Sequence, residues 1–321
     1  MTRYGDADRA ESTPAQRTGT HAAARTARAR SYLGPDSVYF RYLGDARGLL
    51  FGPRLLVLQT AHPAVGAAVR EFSTYQQEPW NRLERTLRSL FTYVYGTERQ
   101  ALAEAARLME LHKPIKGVDA QGRRYSALNP EARLWVHATF YEPLITCGPL
   151  IYGPISDADR RRAFDEWRQI GCVLGLRDGD MPATVEEYWV YWQTMVDTRL
   201  EDNPAVQDVL RTLTDLPPPF GVSVPDLLWR PLWSTPGSLA RLITVGTLPP
   251  ELRDRFGLSW TPRQQRRLDR ICATVRTGGR FVPVQMRYMP IAAKAVRTAR
   301  RDRKRARRRA VVHHITHIAR V

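Results

Sequence analysis

The 321-residue chain contains little cysteine and no long apolar segment. Its three cysteines, Cys147, Cys172 and Cys272, are an odd number without a short spacing, which argues against a disulfide framework and a cysteine zinc site. No stretch approaches the ~18 uninterrupted apolar residues of a membrane-spanning helix. The amino-terminal region also lacks the apolar core of a secretion signal. We therefore expect a cytoplasmic protein.

Several common catalytic motifs are also missing. The sequence has no G-x-S-x-G elbow, Walker A loop, G-x-G-x-x-G fingerprint, H-E-x-x-H motif or paired E-x-x-H motif. Serine hydrolases, nucleotide-binding enzymes, zincins and ferritin-like di-iron proteins therefore lose their usual sequence support.

The formal net charge of +17 is concentrated at the ends of the chain. Residues 294–309 carry +9, residues 1–30 carry +3 and Arg320 adds one, which leaves about +4 for residues 31–293. We predict a flexible arm over 1–30, a folded domain over 31–293 and a basic tail over 294–321. The tail could contact an anionic membrane, or it could be a solvated charge run without a partner. The lack of a reading motif and of interleaved aromatics argues against nucleic acid.

The apolar pattern predicts an all-α, single multi-helix domain. Residues 49–69 are apolar nearly all round, which indicates a buried helix broken at Pro63. An amphipathic helix is predicted to begin at Pro79 and to stop at Gly96. No alternation of strands and helices is recognisable, so a parallel sheet is not expected.

Capping signals predict the starts of further helices. These signals are Thr97 with Gln100, Asn129 with Pro130, Ser156 with Asp159, Thr184 with Glu187, and Asn203 with Pro204. Residues 216–250 are rich in Pro, Gly and Trp, which predicts short helices between turns. Two more helices are expected, near Pro262 and from about Met289 into the basic tail.

Three histidines, His62, His112 and His137, are predicted to face the interior from three different helices. A single buried histidine commonly has a structural role, but three in one core favour a binding site. His112 is the best metal-ligand candidate because it closes a helix just before Pro114, where an imidazole can project into a cavity. Its predicted inward face contains Leu102, Ala105, Ala106, Met109 and His112.

A polar group of Arg82, Arg85 and Thr86 lies on the helix that begins at Pro79. Arg82 and Thr86 are one turn apart on the same side, and Arg85 borders them. A guanidinium there could bind a carboxylate of another helix or of a bound cofactor. Spacing alone leaves both interpretations open.

Four segments occur in a familiar order: LLVLQTAHPAVGAAV, FSTYQQEPWNRLERT, YGTERQALAEAARLMELHKPIKG and YSALNPEARLWVHATF. Together they resemble the catalytic domain of the MpaB and rubber-oxygenase (latex clearing protein) family, roughly from Gly34 to Pro219. The resemblance implies a globin-like helical core that binds haem b and uses dioxygen to cleave an isoprenoid chain. It also implies that His112 is the proximal iron ligand.

The resemblance further implies roles for the other candidates. The family carries Arg-x-x-Lys-Thr where this chain has Arg82, Arg85 and Thr86, so Arg85 replaces the lysine and cannot act as an amine ligand. These three residues are expected to be catalytic, and His62 and His137 to line the cofactor cavity. The expected activity is oxidation of a small isoprenoid or lipid-like substrate. The alternative is a non-catalytic helical protein that binds an anionic membrane through residues 294–321.

Overall fold

The computed structural model describes most of the predicted folded domain. The described residues are 33–298 and 301, except 35, 74–77, 220, 221 and 223. The predicted arm over residues 1–30 lies outside them. Of the predicted basic tail, only residues 294–298 and 301 lie inside them.

Most of the described residues are helical, which confirms the all-α prediction. The α-helices are α1 (Val38–Tyr42), α2 (Gly52–Thr60), α3 (Pro63–Phe72), α4 (Pro79–Tyr95), α5 (Glu98–His112), α6 (Pro130–Ala138), α7 (Glu142–Thr146), α8 (Gly148–Tyr152), α9 (Asp157–Val173), α10 (Val185–Thr198), α11 (Pro204–Thr212), α12 (Asp226–Thr247), α13 (Pro250–Arg255), α14 (Pro262–Phe281), α15 (Val284–Arg287) and a helical segment over residues 290–298. Short 3-10 helices cover Ala46–Phe51 and Asp178–Asp180. None of the helices in these ranges is long and apolar enough to cross a membrane.

Side-chain caps start the helices at the predicted positions. In α5, Thr97 accepts a hydrogen bond from the Gln100 amide, and the Gln100 side chain accepts one from the Thr97 amide. Asn129, Ser156, Thr184 and Asn203 likewise accept from amides in the first turns of α6, α9, α10 and α11. Each cap satisfies donors that the helix itself leaves without partners, which is typically worth about 1 kcal/mol.

Buried aromatic rings form the centre of the core. Trp135, Trp167, Tyr141 and Tyr188 are essentially inaccessible to solvent. Their polar atoms still have partners: Trp135 Nε1 donates to the Leu58 carbonyl at 2.8 Å, and the Tyr188 hydroxyl donates to the Ala138 carbonyl at 2.8 Å. Because a buried donor without a partner is costly, these bonds fix how α2, α6 and α10 pack on one another.

A buried ion pair joins three helices on another side of α2. Arg54 is 1% exposed and donates through both terminal nitrogens to Glu142 of α7, at 2.5 and 2.8 Å. Its Nε donates to the carbonyl of Thr247, the last residue of α12, at 2.7 Å. The guanidinium therefore connects the start of α7 and the end of α12 to the first turn of α2.

The region predicted as short helices between turns is instead one long helix over much of its length. Helix α12 spans 22 residues and contains Pro231 and Pro236. Its first half is attached to the body by two indoles, since Trp229 Nε1 donates to the Leu216 carbonyl at 2.6 Å and Trp233 Nε1 donates to the Leu213 carbonyl at 3.1 Å. The prolines remove backbone donors and disturb the helix locally, but the helix continues through both positions.

The inward face of α5 also differs from the prediction. Leu102 is 50% exposed and Ala106 is exposed, whereas Ala101 and Ala105 are buried against Tyr93 of α4. The two alanines allow a close approach of α4 and α5, which rotates the larger Leu102 side chain towards solvent. The face nevertheless includes the half-buried His112.

A small hairpin occupies the link predicted only as turn-rich. β1 (Lys116–Val118) and β2 (Arg124–Ser126) pair antiparallel, with Gly117 opposite Tyr125. The intervening turn has Gly122 at φ 77°, a conformation that suits glycine. The hairpin contacts α3, so the segment between α5 and α6 packs against the body of the domain.

Candidate functional site

A cavity of about 350 Å³ lies between α2, α3, α5 and α6, with the end of α9 at its edge. Its volume falls within the range of small-molecule and cofactor sites. Most of its lining is apolar and includes Leu56, Val65, Val69, Leu108, Met109 and Phe140. Four of its polar side chains come from three helices: Arg82, His112, Arg133 and His137.

His112 ends α5 and presents a neutral imidazole to this cavity. Its Nδ1 lies 2.7 Å from the carbonyl of Leu108, one turn earlier in the helix. A carbonyl can only accept, so Nδ1 carries the hydrogen and Nε2 keeps its lone pair. Burial lowers the pKa of His112; the bond to Leu108 opposes this shift, and Arg133, Arg107 and Arg82 lower the pKa further. The residue is therefore unprotonated at neutral pH and suited to bind a metal through Nε2.

Two guanidinium groups border the same cavity. Arg133 of α6 donates to the carbonyl of Leu174 at 2.6 Å and forms no ion pair with a carboxylate in the described part of the chain. Arg82 of α4 donates to the hydroxyl of Ser73. Burial lowers the pKa of Arg133, but a guanidinium remains charged at physiological pH. The wall near His112 is therefore positive and suits an anionic group of a ligand.

His137 lines the cavity from α6 but is held by the core. Its Nε2 donates to the Trp167 carbonyl at 2.8 Å, and its ring stacks on Trp167 with centroids 4.9 Å apart. Burial lowers the pKa of His137 to about 4. The ring is thus neutral and fixed in orientation.

The structure brings Arg82, His112 and His137 to one cavity, but it places the other predicted site residues elsewhere. Arg85 and Thr86 are exposed on α4 and do not line the cavity. His62 is buried before α3, outside the cavity, with Nε2 3.6 Å from a carboxylate oxygen of Glu131. That distance is too long for a hydrogen bond, and neither ring nitrogen has a partner among the described residues. Burial lowers the pKa of His62, which Glu131 opposes.

Arg133 was missed by the sequence reasoning. It stands four residues before His137, so both lie on one side of α6 and border the same cavity. That spacing was the available signal. An arginine one turn from an inward histidine fits a helix face that lies between core and surface.

A second cavity, of about 430 Å³, lies on the other side of α2. It contains the paired Arg54 and Glu142 and the thiols of Cys147 and Cys272, whose pKa values are raised by burial. Its charges neutralise each other, and its lining has no histidine. The smaller cavity therefore carries the stronger set of ligand-binding groups.

Comparisons with known proteins agree with the resemblance. Residues 40–277 match the family described as the catalytic domain of the ER-bound oxygenase mpaB/B′ and rubber oxygenase. Two uncharacterized proteins, from Mycobacterium bovis and Mycobacterium tuberculosis, are each 27% identical over 232 residues, which cover 71% of this chain and 87% of each relative. No solved structure is significantly similar to the chain.

Proposed function

The chain belongs to the catalytic-domain family of the mpaB and rubber oxygenases, and from this premise we propose that it is a haem b-dependent oxygenase. Its substrates would be dioxygen and a small apolar molecule of the isoprenoid or lipid class. The observation that carries the proposal is the geometry of His112, a cavity-lining residue whose Nδ1 is bound to the Leu108 carbonyl, so that Nε2 keeps its lone pair for a metal.

The donor set fits haem better than a bare metal ion. Among the described residues, no group of three or more His, Cys, Asp or Glu side chains could hold an ion. A haem iron needs only one protein ligand, because the porphyrin supplies four nitrogens. His112 would be that ligand. Arg133 and Arg82 would hold the anionic propionates, and the apolar walls would receive the macrocycle.

A bound haem would supply the iron at which dioxygen is activated. The chain itself would position the imidazole ligand and exclude water from the cavity. The Leu108 carbonyl fixes the ring of His112, and the bond from Nδ1 makes its Nε2 more electron-rich. Leu56, Val69 and Phe140 offer an apolar surface that would bind a hydrocarbon and keep water out. The neutral His137 brings no charge into this chamber.

The remaining parts of the hypothesis stay predictions. Arg85 and Thr86 are solvent-exposed, so a catalytic role for them requires a substrate that extends over the surface of α4. His62 would support the cavity from outside it. A cytoplasmic location and membrane contact through residues 294–321 stay predictions, and most of that tail lies outside the described residues.

Absorption spectroscopy tests the proposal. The protein is expressed with a haem supply, and its Soret band is compared with that of His112→Ala. We expect the variant to lose the wild-type band and to regain haem binding with added imidazole, whereas His62→Ala keeps the band. Arg133→Met should bind haem about 10-fold more weakly, as expected for a lost charge-assisted bond. The matched control Arg85→Met, at an arginine outside the cavity, should bind haem as tightly as the wild type. A wild type that stays colourless after reconstitution would refute the proposal. If the wild type binds haem, oxygen uptake is screened on the haem-loaded protein with isoprenoid and lipid substrates.

A further inference from the structure

The first half of α12 exposes an unusual apolar face. Leu227 is 85% exposed, Leu228 61% and Leu232 65%. At 100° per residue these leucines and the exposed Pro231 lie on one side of the helix, with the exposed Arg230 at its border. We call this surface, made of Leu227, Leu228, Pro231 and Leu232, the leucine face.

The orientation of the leucine face is fixed by bonds on the opposite side of the helix. Trp229 and Trp233 stack with centroids 5.7 Å apart, and both indoles donate to carbonyls of the preceding segment. The leucines therefore point to solvent because the tryptophans hold the helix, and a different rotation would break both indole bonds. A surface helix normally turns polar residues to water, and a cluster of exposed apolar side chains marks an interaction surface.

Helix α12, which carries the leucine face, contacts a helix that contributes to the candidate cavity. Trp233 packs on Trp80 of α4 with centroids 6.3 Å apart, and Arg82 of the same helix lines the cavity. Phe72, another lining residue, is 44% exposed. Apolar surface thus occurs both at the cavity wall and on the neighbouring helix.

We propose that the leucine face docks the protein on the surface of a phospholipid bilayer that contains anionic lipids. An amphipathic helix of this kind lies in the interface with its apolar side chains inserted ~5–10 Å. Arg230 would meet the headgroups, and the positive net charge of residues 31–293, about +4, also favours anionic lipid. A protein partner fits less well, since a stable interface takes ~20–30 residues a side and this face offers four.

Docking goes beyond the oxygenase proposal and does not depend on it. If both hold, docking brings the oxygenase to a phase in which isoprenoid and lipid molecules dissolve.

Vesicle co-sedimentation of the full-length protein tests the inference. The vesicles contain phosphatidylcholine with phosphatidylglycerol, and the test variant is L227Q/L228Q/L232Q. Because three leucines leave the apolar phase, we expect at least ~10-fold weaker partitioning. L227Q alone should give a smaller loss in the same direction. The control L102Q/V190Q changes two other exposed apolar residues, 50% and 69% exposed, and should bind like the wild type.

Three results would overturn the inference. The wild type could fail to bind these vesicles. The triple variant could bind as tightly as the wild type, which would assign binding to another surface such as the basic tail. Sedimentation could show a wild-type dimer that the triple variant dissociates, without vesicle binding, which would assign the leucine face to a second copy. The Soret band of the triple variant is recorded in parallel, so loss of docking and loss of haem are distinguished.

Discussion

Replacing Glu142 by Gln should remove about 3–5 kcal/mol from the free energy of unfolding. The substitution keeps the shape of the side chain but deletes its charge. Arg54 would then remain 1% exposed with its charge uncompensated, and one of its N–H groups would meet an amide N–H instead of a carboxylate oxygen. Thr146, whose hydroxyl donates to the same carboxylate at 2.6 Å, would lose strength in that bond too.

The expected loss of unfolding free energy is large because the Arg54–Glu142 ion pair is buried. Breaking a buried pair by removing one partner leaves a desolvated charge, which is far more costly than losing an exposed pair. The exposed pair of Arg88 and Glu84 provides the matched control, because its side chains are 70% and 55% exposed. Glu84→Gln should change stability by no more than about 0.5 kcal/mol.

Urea unfolding of Glu142→Gln, Arg54→Met and the double variant Arg54→Met/Glu142→Gln provides the assay. The double variant should be more stable than the sum of the two single losses predicts, because it leaves no unpaired buried charge. If Glu142→Gln lost no more stability than Glu84→Gln, the assignment of a desolvated ion pair between α2, α7 and α12 would be wrong.

Two further predictions concern the neighbourhood of His137. Burial lowers the pKa of His137 to about 4, whereas a histidine in the unfolded chain has a pKa of about 6.5. The unfolded state therefore binds the proton more tightly, and the free energy of unfolding should fall by about 3 kcal/mol as the pH drops from 6.5 to 4. In a pH series of urea midpoints, His137→Gln should flatten this decrease, and an unchanged slope would contradict the assignment. In Gly171→Ala the new Cβ would lie 2.5 Å from Sδ of Met181 and 2.9 Å from Nε2 of His137. Thermal unfolding should show that Gly171→Ala lowers the free energy of unfolding by ~1–3 kcal/mol. The control Gly278→Ala lies at a helical position with nothing within 4 Å of its Cβ and should raise the free energy of unfolding by ~0.5–1 kcal/mol. Equal effects at the two positions would contradict the close packing around Gly171.

Local chemistry made the helix starts predictable. Thr97, Ser156 and Thr184 cap their helices through bonds to the amide three residues later, so the local sequence carries the needed information. Helix α12 could not be predicted in this way. Pro231 and Pro236 indicate breaks, but the helix continues through both, and Trp229 and Trp233 attach it to a segment that precedes it.

The candidate site was predictable in part for the same reason. His112 was identified because it closes a helix, and its bond to Leu108 is local. The placement of Arg85 and Thr86 depends on the rotation of α4 about its axis, which is set by distant contacts such as that of Trp80 with Trp233. The spacing of Arg133 and His137 was available from the sequence, but that Arg133 shares a cavity with His112 depends on the packing of α5 and α6.

The bond between His112 and Leu108 has a consequence for protein engineering. The acceptor is a backbone carbonyl in the same helix, so replacing the Leu108 side chain leaves it in place. The hydrogen on Nδ1 is thus held by a group that substitutions in the apolar cavity wall leave unchanged. The apolar side chains around the cavity can be varied combinatorially to accommodate new molecules while Nε2 of His112 keeps its lone pair.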